Sequence, residues 1–329
     1  MRRREFITLA GGTAIWPLAA RAQQAGPVRR IGVLMGYGES DAAARSELAA
    51  FRGALAKLGW TEGSNLRIEL RWSAADPDKI KALAKELVDL RPDAILSQTT
   101  PVTGVLIHET QTIPIVIVGV ADPIGSGIAS SLARPGGNVT GLAHFEPAQG
   151  GKWVELLKEI APSTERVALL FNPATTVPIQ FFITSIQAAA SSAAIKASVA
   201  PVHGKDEIEG VIAAQARRPG GGLLAIPDAF NAVNRDLIIA LAARYGVPAI
   251  YFDRRFAESG GLISYGSDFA AELGQAALYI DRILKGAKPA DLPIQTPTKY
   301  EMIINLKTVQ ALGITVPPMM LGRADDVIE

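Results

Sequence analysis

Arg30-Ile31-Gly32-Val33-Leu34-Met35-Gly36 sets the fold class. It is a short apolar run that stops at a glycine, the pattern of a strand buried on both faces. The period then changes. From about Asp41, the residues Leu48, Phe51, Leu55 and Leu58 recur three or four apart, so they share one face of a helix, and Gly59 is placed to end it. Leu66, Ile68, Leu70 and Trp72 alternate, which predicts a second strand. Asp76-Pro77 opens a helix with Ile80, Leu83, Leu87 and Leu90 on its apolar face. A third strand is expected at 94–96, a short helix at 101–110 and a fourth strand at 114–118. Such a βαβαβαβ series implies a parallel sheet with helices on both faces.

The alternation then restarts. Helices are expected at 148–161, 177–194, 206–215 and 234–245, with strands at 167–171, 197–202, 223–226, 248–251 and 262–265. The two halves share rhythm and length, so the chain reads as α/β with two lobes of one type, 28–143 and 144–265, joined near 138–147. A helix at 268–284 follows, then a linker bracketed by Pro289 and Pro293, a strand at Ile303-Ile304 and a helix at 306–312. The second lobe is complete by then. Residues 266–300 are therefore expected to complete the first lobe, and 301–329 to form a tail crossing the hinge.

Ahead of the first strand, Arg3-Arg4-Glu5-Phe6-Ile7 leads into an apolar stretch to Ala20, and Ala20-Arg21-Ala22 offers a small-x-small cleavage site. This order marks residues 1–22 as an export signal of the twin-arginine type, cleaved near Ala22. Its apolar run is too short and too rich in Gly and Ala to span a bilayer, and no later run reaches spanning length. The expected location is the periplasm, as a soluble protein. Hydrophobic residues make up 48% and mean hydropathy is +0.21, enough to bury large cores. The net charge is +1; residues 1–22 hold four arginines against one glutamate, so the remainder is mildly acidic. With no Lys/Arg block, nucleic acid is excluded as a partner. The absence of cysteine excludes disulfides, a thiol nucleophile and a lipidated cysteine anchor.

Enzyme signatures are missing. His108, His144 and His203 lack metal-ligand spacing. Gly36-Tyr37-Gly38 has Asp41 where a dinucleotide turn needs its third glycine, and a carboxylate there repels pyrophosphate. Gly125-Ser126-Gly127 is no nucleophile elbow, because Ile124 stands two residues before the serine. Neither a catalytic residue, a metal nor a cofactor is expected. The C-terminal strand ends, where open parallel sheets bind ligands, are rich in small polar groups instead. Gly36, Tyr37, Ser97, Thr99, Thr100 and Asp122 come from the first half, and Asn172, Asp228, Phe230, Asp253 and Tyr265 from the second. Hydroxyls and helix-start N–H groups suit a carboxylate, an aspartate suits an amine, and an aromatic face covers the rest. Each has a competing structural role: the hydroxyls and Asp228 as helix caps, Asp122 and Asn172 as turn formers before proline, Asp253 in an ion pair with Arg254-Arg255, Tyr37 and Tyr265 as packing.

The segments Asp122-Pro123-Ile124-Gly125-Ser126-Gly127 and Ser131-Leu132-Ala133-Arg134-Pro135-Gly136-Gly137-Asn138-Val139-Thr140-Gly141 resemble the exported substrate-binding proteins of ABC importers, more narrowly the family related to the tryptophan-binding component. Gly260 to Gly266, Tyr279 to Pro293 and Ile304-Asn305-Leu306-Lys307-Thr308 carry the same likeness. The resemblance implies a type I periplasmic binding protein fold, with two Rossmann-like lobes around a cleft and a multi-crossing hinge. It implies no catalysis and no metal, with a membrane permease and its ATPase as partners. The resulting expectation is a monomeric receptor for an amino acid or related small carboxylate, closing on its ligand. An exported α/β enzyme and a receptor for a membrane sensor kinase are the alternatives.

Overall fold

The computed structural model describes residues 27–176 and 179–329, so the export signal read at 1–22 lies outside the described residues. Strand β1 (Arg29–Met35) runs parallel to β2 (Leu66–Trp72) on one side and β3 (Ala94–Gln98) on the other. With β4 (Ile115–Ala121) and β5 (Val139–Phe145) they form a parallel sheet in the order β2-β1-β3-β4-β5. The crossovers are helices α1 (Ala42–Lys57), α2 (Pro77–Asp89) and α3 (Thr100–Glu109). Side-chain alternation along β1 sorts the cores. Ile31, Val33 and Met35 join Leu48, Phe51 and Leu55 of α1, whereas Leu34 joins Ile80 of α2 and Leu106 of α3 on the other face. Asp41 and Asp76 start their helices by accepting N–H bonds from the first turn.

The second lobe repeats the plan. It runs α4 (Gln149–Ile160), β6 (Arg166–Phe171), α5 (Gln180–Ser192), β7 (Lys196–Pro201), α6 (Lys205–Ala216), β8 (Gly221–Ala225), α7 (Ala229–Val233), α8 (Arg235–Arg244), β9 (Ala249–Tyr251), α9 (Arg254–Glu258) and β10 (Ile263–Gly266). Helix α10 (Phe269–Leu284) then returns to the first lobe. Its Leu273, Ala277 and Ile280 share the core of Phe51 and Leu55, and Trp60 Nε1 donates to Asp281 Oδ1 at 2.9 Å.

Two readings of the sequence need correcting. The segment 138–147 holds the join, but its extended stretch at 139–142 goes further than read: it is a full strand, β5, buried throughout and hydrogen-bonded to β4. Gly141 permits this: its φ is 132° and a Cβ there would lie 2.4 Å from the Ile117 carbonyl oxygen. The tail at 301–329, expected to cross the hinge, stays with the second lobe. Strand β11 (Glu301–Asn305) pairs antiparallel with β10, and β12 (Asp326–Ile328) pairs with β11 beyond the short helices α11 (Leu306–Ala311) and α12 (Pro318–Leu321). The second sheet therefore runs β12-β11-β10-β9-β8-β6-β7. Before it, Gln295 runs beside β5, donating to the Gly141 carbonyl at 3.0 Å and accepting from Ala143 at 2.8 Å.

The chain thus crosses between lobes at 146–148, at 267–268 and again at 296–300. The first two crossings are fastened together by a buried cluster. His144 Nδ1 meets Glu272 Oε2 at 2.7 Å, and Ser267 Oγ donates to Glu272 Oε1 at 2.9 Å. Among the described residues no helix is long and apolar enough to cross a membrane.

Candidate functional site

Each sheet reverses its strand order once. β2 and β3 flank β1 in the first sheet; β7 and β8 flank β6 in the second. At such a switch point the loops diverge and leave a crevice beyond the strand C-termini. Tyr37 follows β1 and Thr99 follows β3, while Thr175 follows β6 and Asp228 follows β8. All four line one cavity between the lobes, with Thr100, Phe145, Phe252 and Phe269 as further walls. The lobes are shut, and the cavity encloses about 20 Å³. That is room for about one water and far too little for an amino acid, so a larger guest enters only when the lobes part.

The first lobe presents donors. Thr99 has φ 80° and ψ 153°, a region almost reserved for glycine and costing on the order of 1–3 kcal/mol. Its side chain is buried, and its Oγ1 meets no hydrogen-bond partner among the described residues. Helix α3 begins next to it without a capping side chain. Thr100 Oγ1 accepts from the Ala121 N–H at 3.1 Å. Gly36 makes room for this arrangement, since a Cβ there would fall 2.5 Å from Thr99 Cγ2.

The second lobe presents an acceptor that is already bonded. Asp228 caps α7 and accepts from Phe230 N at 2.9 Å, Asn172 N at 2.6 Å and Thr175 Oγ1 at 2.5 Å. Burial pushes its carboxyl up to about 6, against the pull of these donors.

Beside the cavity, a charged group bridges the lobes. Arg255 Nη2 donates to Asp253 Oδ2 at 2.5 Å and to Tyr37 Oη at 3.2 Å, and Arg255 Nη1 lies 3.3 Å from Glu47 Oε1. The guanidinium stacks over Tyr37, 4.5 Å from the ring centre, and over Phe269, 4.9 Å away. Burial would raise Asp253, but Arg255 holds its carboxyl below the usual range. Burial drives the Tyr37 phenol well above its ordinary range, so it stays protonated. A second interlobe pair sits nearer the rim, where Arg235 Nη1 meets Asp41 Oδ2 at 2.5 Å.

The structure therefore brings Tyr37, Thr99, Thr100 and Asp228 together, with Gly36 supporting Thr99. The other expected residues do not line the cavity. Ser97 Oγ is spent on Thr103 Oγ1 at 2.7 Å, and Asp122 accepts from Gly125 N within its own turn. Asn172 supports Asp228 through its backbone N–H, while its side chain binds Ala174 N and the His203 carbonyl. Phe230 contributes its N–H to Asp228 but no wall. Asp253 takes the ion-pair role, and Tyr265 stacks on Tyr300 with ring centres 5.7 Å apart. The sequence reading missed Phe145, Thr175 and Phe269, and the Glu47–Arg255 contact. A signal for Glu47 existed: it is an acid on the apolar face of α1, three residues after Ala44 and four before Phe51.

A roomier recess of about 500 Å³ opens at the far edge of the second sheet, near Pro219 to Gly221 and Tyr245 to Pro248. It lies at the N-terminal strand ends of one lobe, where closure of the lobes cannot act. Among the described residues no group of three His, Cys, Asp or Glu side chains is placed to hold a metal.

A family profile described as ABC transporter substrate binding protein matches residues 39–328. A tyrosine-binding protein of Clostridioides difficile (strain R20291) is 25% identical over 262 residues, covering 79% of this chain and 74% of that protein. An ABC domain of Streptococcus pneumonia, solved in complex with L-Trp, superposes with a TM-score of 0.84 at 26% identity, covering 91% of this chain and 99% of that one. A conserved domain protein of Vibrio cholerae superposes equally well, with a TM-score of 0.84 at 27% identity and the same coverage of both chains.

Proposed function

Because the chain belongs to the ABC transporter substrate binding protein family, we propose that it is an exported receptor for an aromatic amino acid, which it takes up between its lobes and delivers to a membrane permease and its ATPase. The family is one of binding proteins, so the cleft serves recognition and not turnover. One observation carries the choice of ligand. The same cavity is lined by unspent donors at Thr99 and the start of α3 from one lobe and by the Asp228 carboxylate from the other, with aromatic rings between them. A zwitterion fits this pair. Its carboxylate meets the Thr99 hydroxyl and the N–H groups of α3, and its ammonium meets Asp228. Tyr37, Phe145, Phe252 and Phe269 then surround an aromatic side chain. The relatives that bind tyrosine and hold L-Trp support that class.

Contact with both lobes makes the ligand prefer the closed state, which is what drives closure. Export through the twin-arginine route, cleavage near Ala22, a periplasmic location and a monomeric state belong to the same proposal. A thermal-shift screen of amino acids, aromatic acids and short fatty acids tests it. An aromatic amino acid at a hundredfold excess over its dissociation constant should stabilise the fold by roughly 2.7 kcal/mol. Stabilisation by fatty acids alone would reject the assignment.

A further inference from the structure

Glu47 belongs to the first lobe but is covered by the second. It stands on the apolar face of α1 and is 5% exposed. Within its own lobe, Gln98 Nε2 donates to Glu47 Oε2 at 3.1 Å. The second lobe adds Arg255, whose Nη1 lies 3.3 Å from Glu47 Oε1 but makes no hydrogen bond among the described residues. The same guanidinium donates from Nε and Nη2 to Asp253, two residues before it. One cation therefore faces two carboxylates and is bonded to its neighbour. When the lobes part, Asp253 keeps Arg255, because both sit at the start of α9. Glu47 loses the guanidinium and gains water.

We propose that closure of the lobes takes up a proton at Glu47, whose carboxylate is favoured by water while the lobes stand apart and whose acid form is favoured once the second lobe covers it and sets the Asp253 carboxylate nearby. The inference rests on the reading of the molecule as a receptor whose lobes move, but not on which ligand it binds.

The surrounding groups set the direction. From the first lobe these are the neutral Tyr37 hydroxyl, the Gln98 amide and Asp41, which is paired with Arg235 of α8. From the second they are Arg255 and Asp253. The adjoining recess is also lined by Arg254, Glu258 and Asp268, and Arg254 is paired with Glu258 and Glu301. Burial pushes the Glu47 carboxyl up to about 7 from an ordinary value of 4.5; Arg255 opposes the rise, and Asp253 and Asp41 add to it. A value raised in the closed state means that this state holds the extra proton between about 4.5 and about 7. Closure is thus most favoured at the acid end of that window and loses ground as pH rises through it, by at most about tenfold in the closed-to-open ratio per pH unit. Burial would raise Asp41 as well, but its bond to Arg235 holds it below its ordinary 3.8, so it stays ionised across the window. Asp228 is a second acid in the window; its three donors come from its own lobe and travel with it, but it lines the interlobe cavity, and the pH response it adds is what remains in Glu47→Gln.

Small-angle scattering of the ligand-free protein from about pH 5 to about pH 8 reads the open-closed balance directly. The radius of gyration should grow with pH in the wild type, and most of that growth should vanish in Glu47→Gln. Equal responses in the two proteins, or no response in the wild type, would overturn the proposal. Carbon-13 NMR titration of the Glu47 carboxyl in the wild type needs no variant. A midpoint well above 4.5 is expected where scattering shows the lobes closed, and a midpoint at that ordinary value in a protein that scattering shows closed would overturn the proposal. Neither measurement uses a ligand, so a failed ligand assignment and a failed proton link remain distinguishable.

Discussion

Thr99 and Asp228 occupy corresponding places in the two lobes, and they are held in opposite ways. Each follows the third strand of its sheet and precedes a helix, and the first five strands of each lobe follow the same order. Asp228 has an ordinary extended backbone and three bonded donors. Thr99 has a strained backbone, a buried hydroxyl without a partner among the described residues, and an uncapped helix beside it. The contrast assigns different work to the two lobes. The second holds its carboxylate in place from within. The first keeps its donors unspent, a cost that a chain bears where something from outside will use them.

Replacing Asp228 tests the finished half and should give the largest effect. Asp228→Asn should lower affinity for an aromatic amino acid by roughly 30-fold or more, the loss expected when one partner of a buried charge pair is removed. Calorimetric titration checks this. Asp228→Ala should also destabilise the empty protein, by about 1–3 kcal/mol in denaturant unfolding, because it strands the Asn172 N–H and the Thr175 hydroxyl. Unchanged stability would show that those bonds do not hold the loop.

Thr99→Gly tests the unfinished half. The substitution removes the hydroxyl and relieves a backbone that only glycine adopts freely. Affinity should fall about tenfold or more, as for a lost hydrogen bond to a charged group, while the melting temperature of the empty protein holds or rises. A lower melting temperature with native affinity would reverse the contrast between the lobes.

The local plan of both lobes is legible in the sequence because strands buried on both faces are short apolar runs and their helices repeat at three and four. Strand β5 is legible only as an extended stretch at 139–142, not as a full strand of the sheet. Gly141 and His144 interrupt its pattern, and only packing against Ile117 and the hinge cluster explains them. Pairing of β11 and β12 with the second lobe is also hidden, since nothing in Ile303-Ile304 says which sheet edge it will meet. At the site, Tyr37, Thr99, Thr100 and Asp228 are legible because strand C-termini at a switch point are predictable places. Phe145 and Phe269 are not, because they stand at the lobe crossings. Arg255 and Glu47 come from different lobes, and no local pattern announces a contact across the interface.

The smallest effect belongs to the rim. The Arg235–Asp41 pair joins the lobes near the surface, so Arg235→Ala should shift the open-closed balance by about 1 kcal/mol or less, and less still at high salt. Scattering at two ionic strengths checks it; a larger shift would move the weight of closure from the cavity to its edge.

The most direct measurement sets ligand groups against lobes. Calorimetry would compare the affinity of an aromatic amino acid with that of its analogue lacking the carboxylate and its analogue lacking the amine, in wild type, Thr99→Gly and Asp228→Asn. The account predicts that Thr99→Gly weakens only ligands that carry the carboxylate, and that Asp228→Asn weakens only ligands that carry the amine. Equal losses for all three ligands in both variants would contradict it.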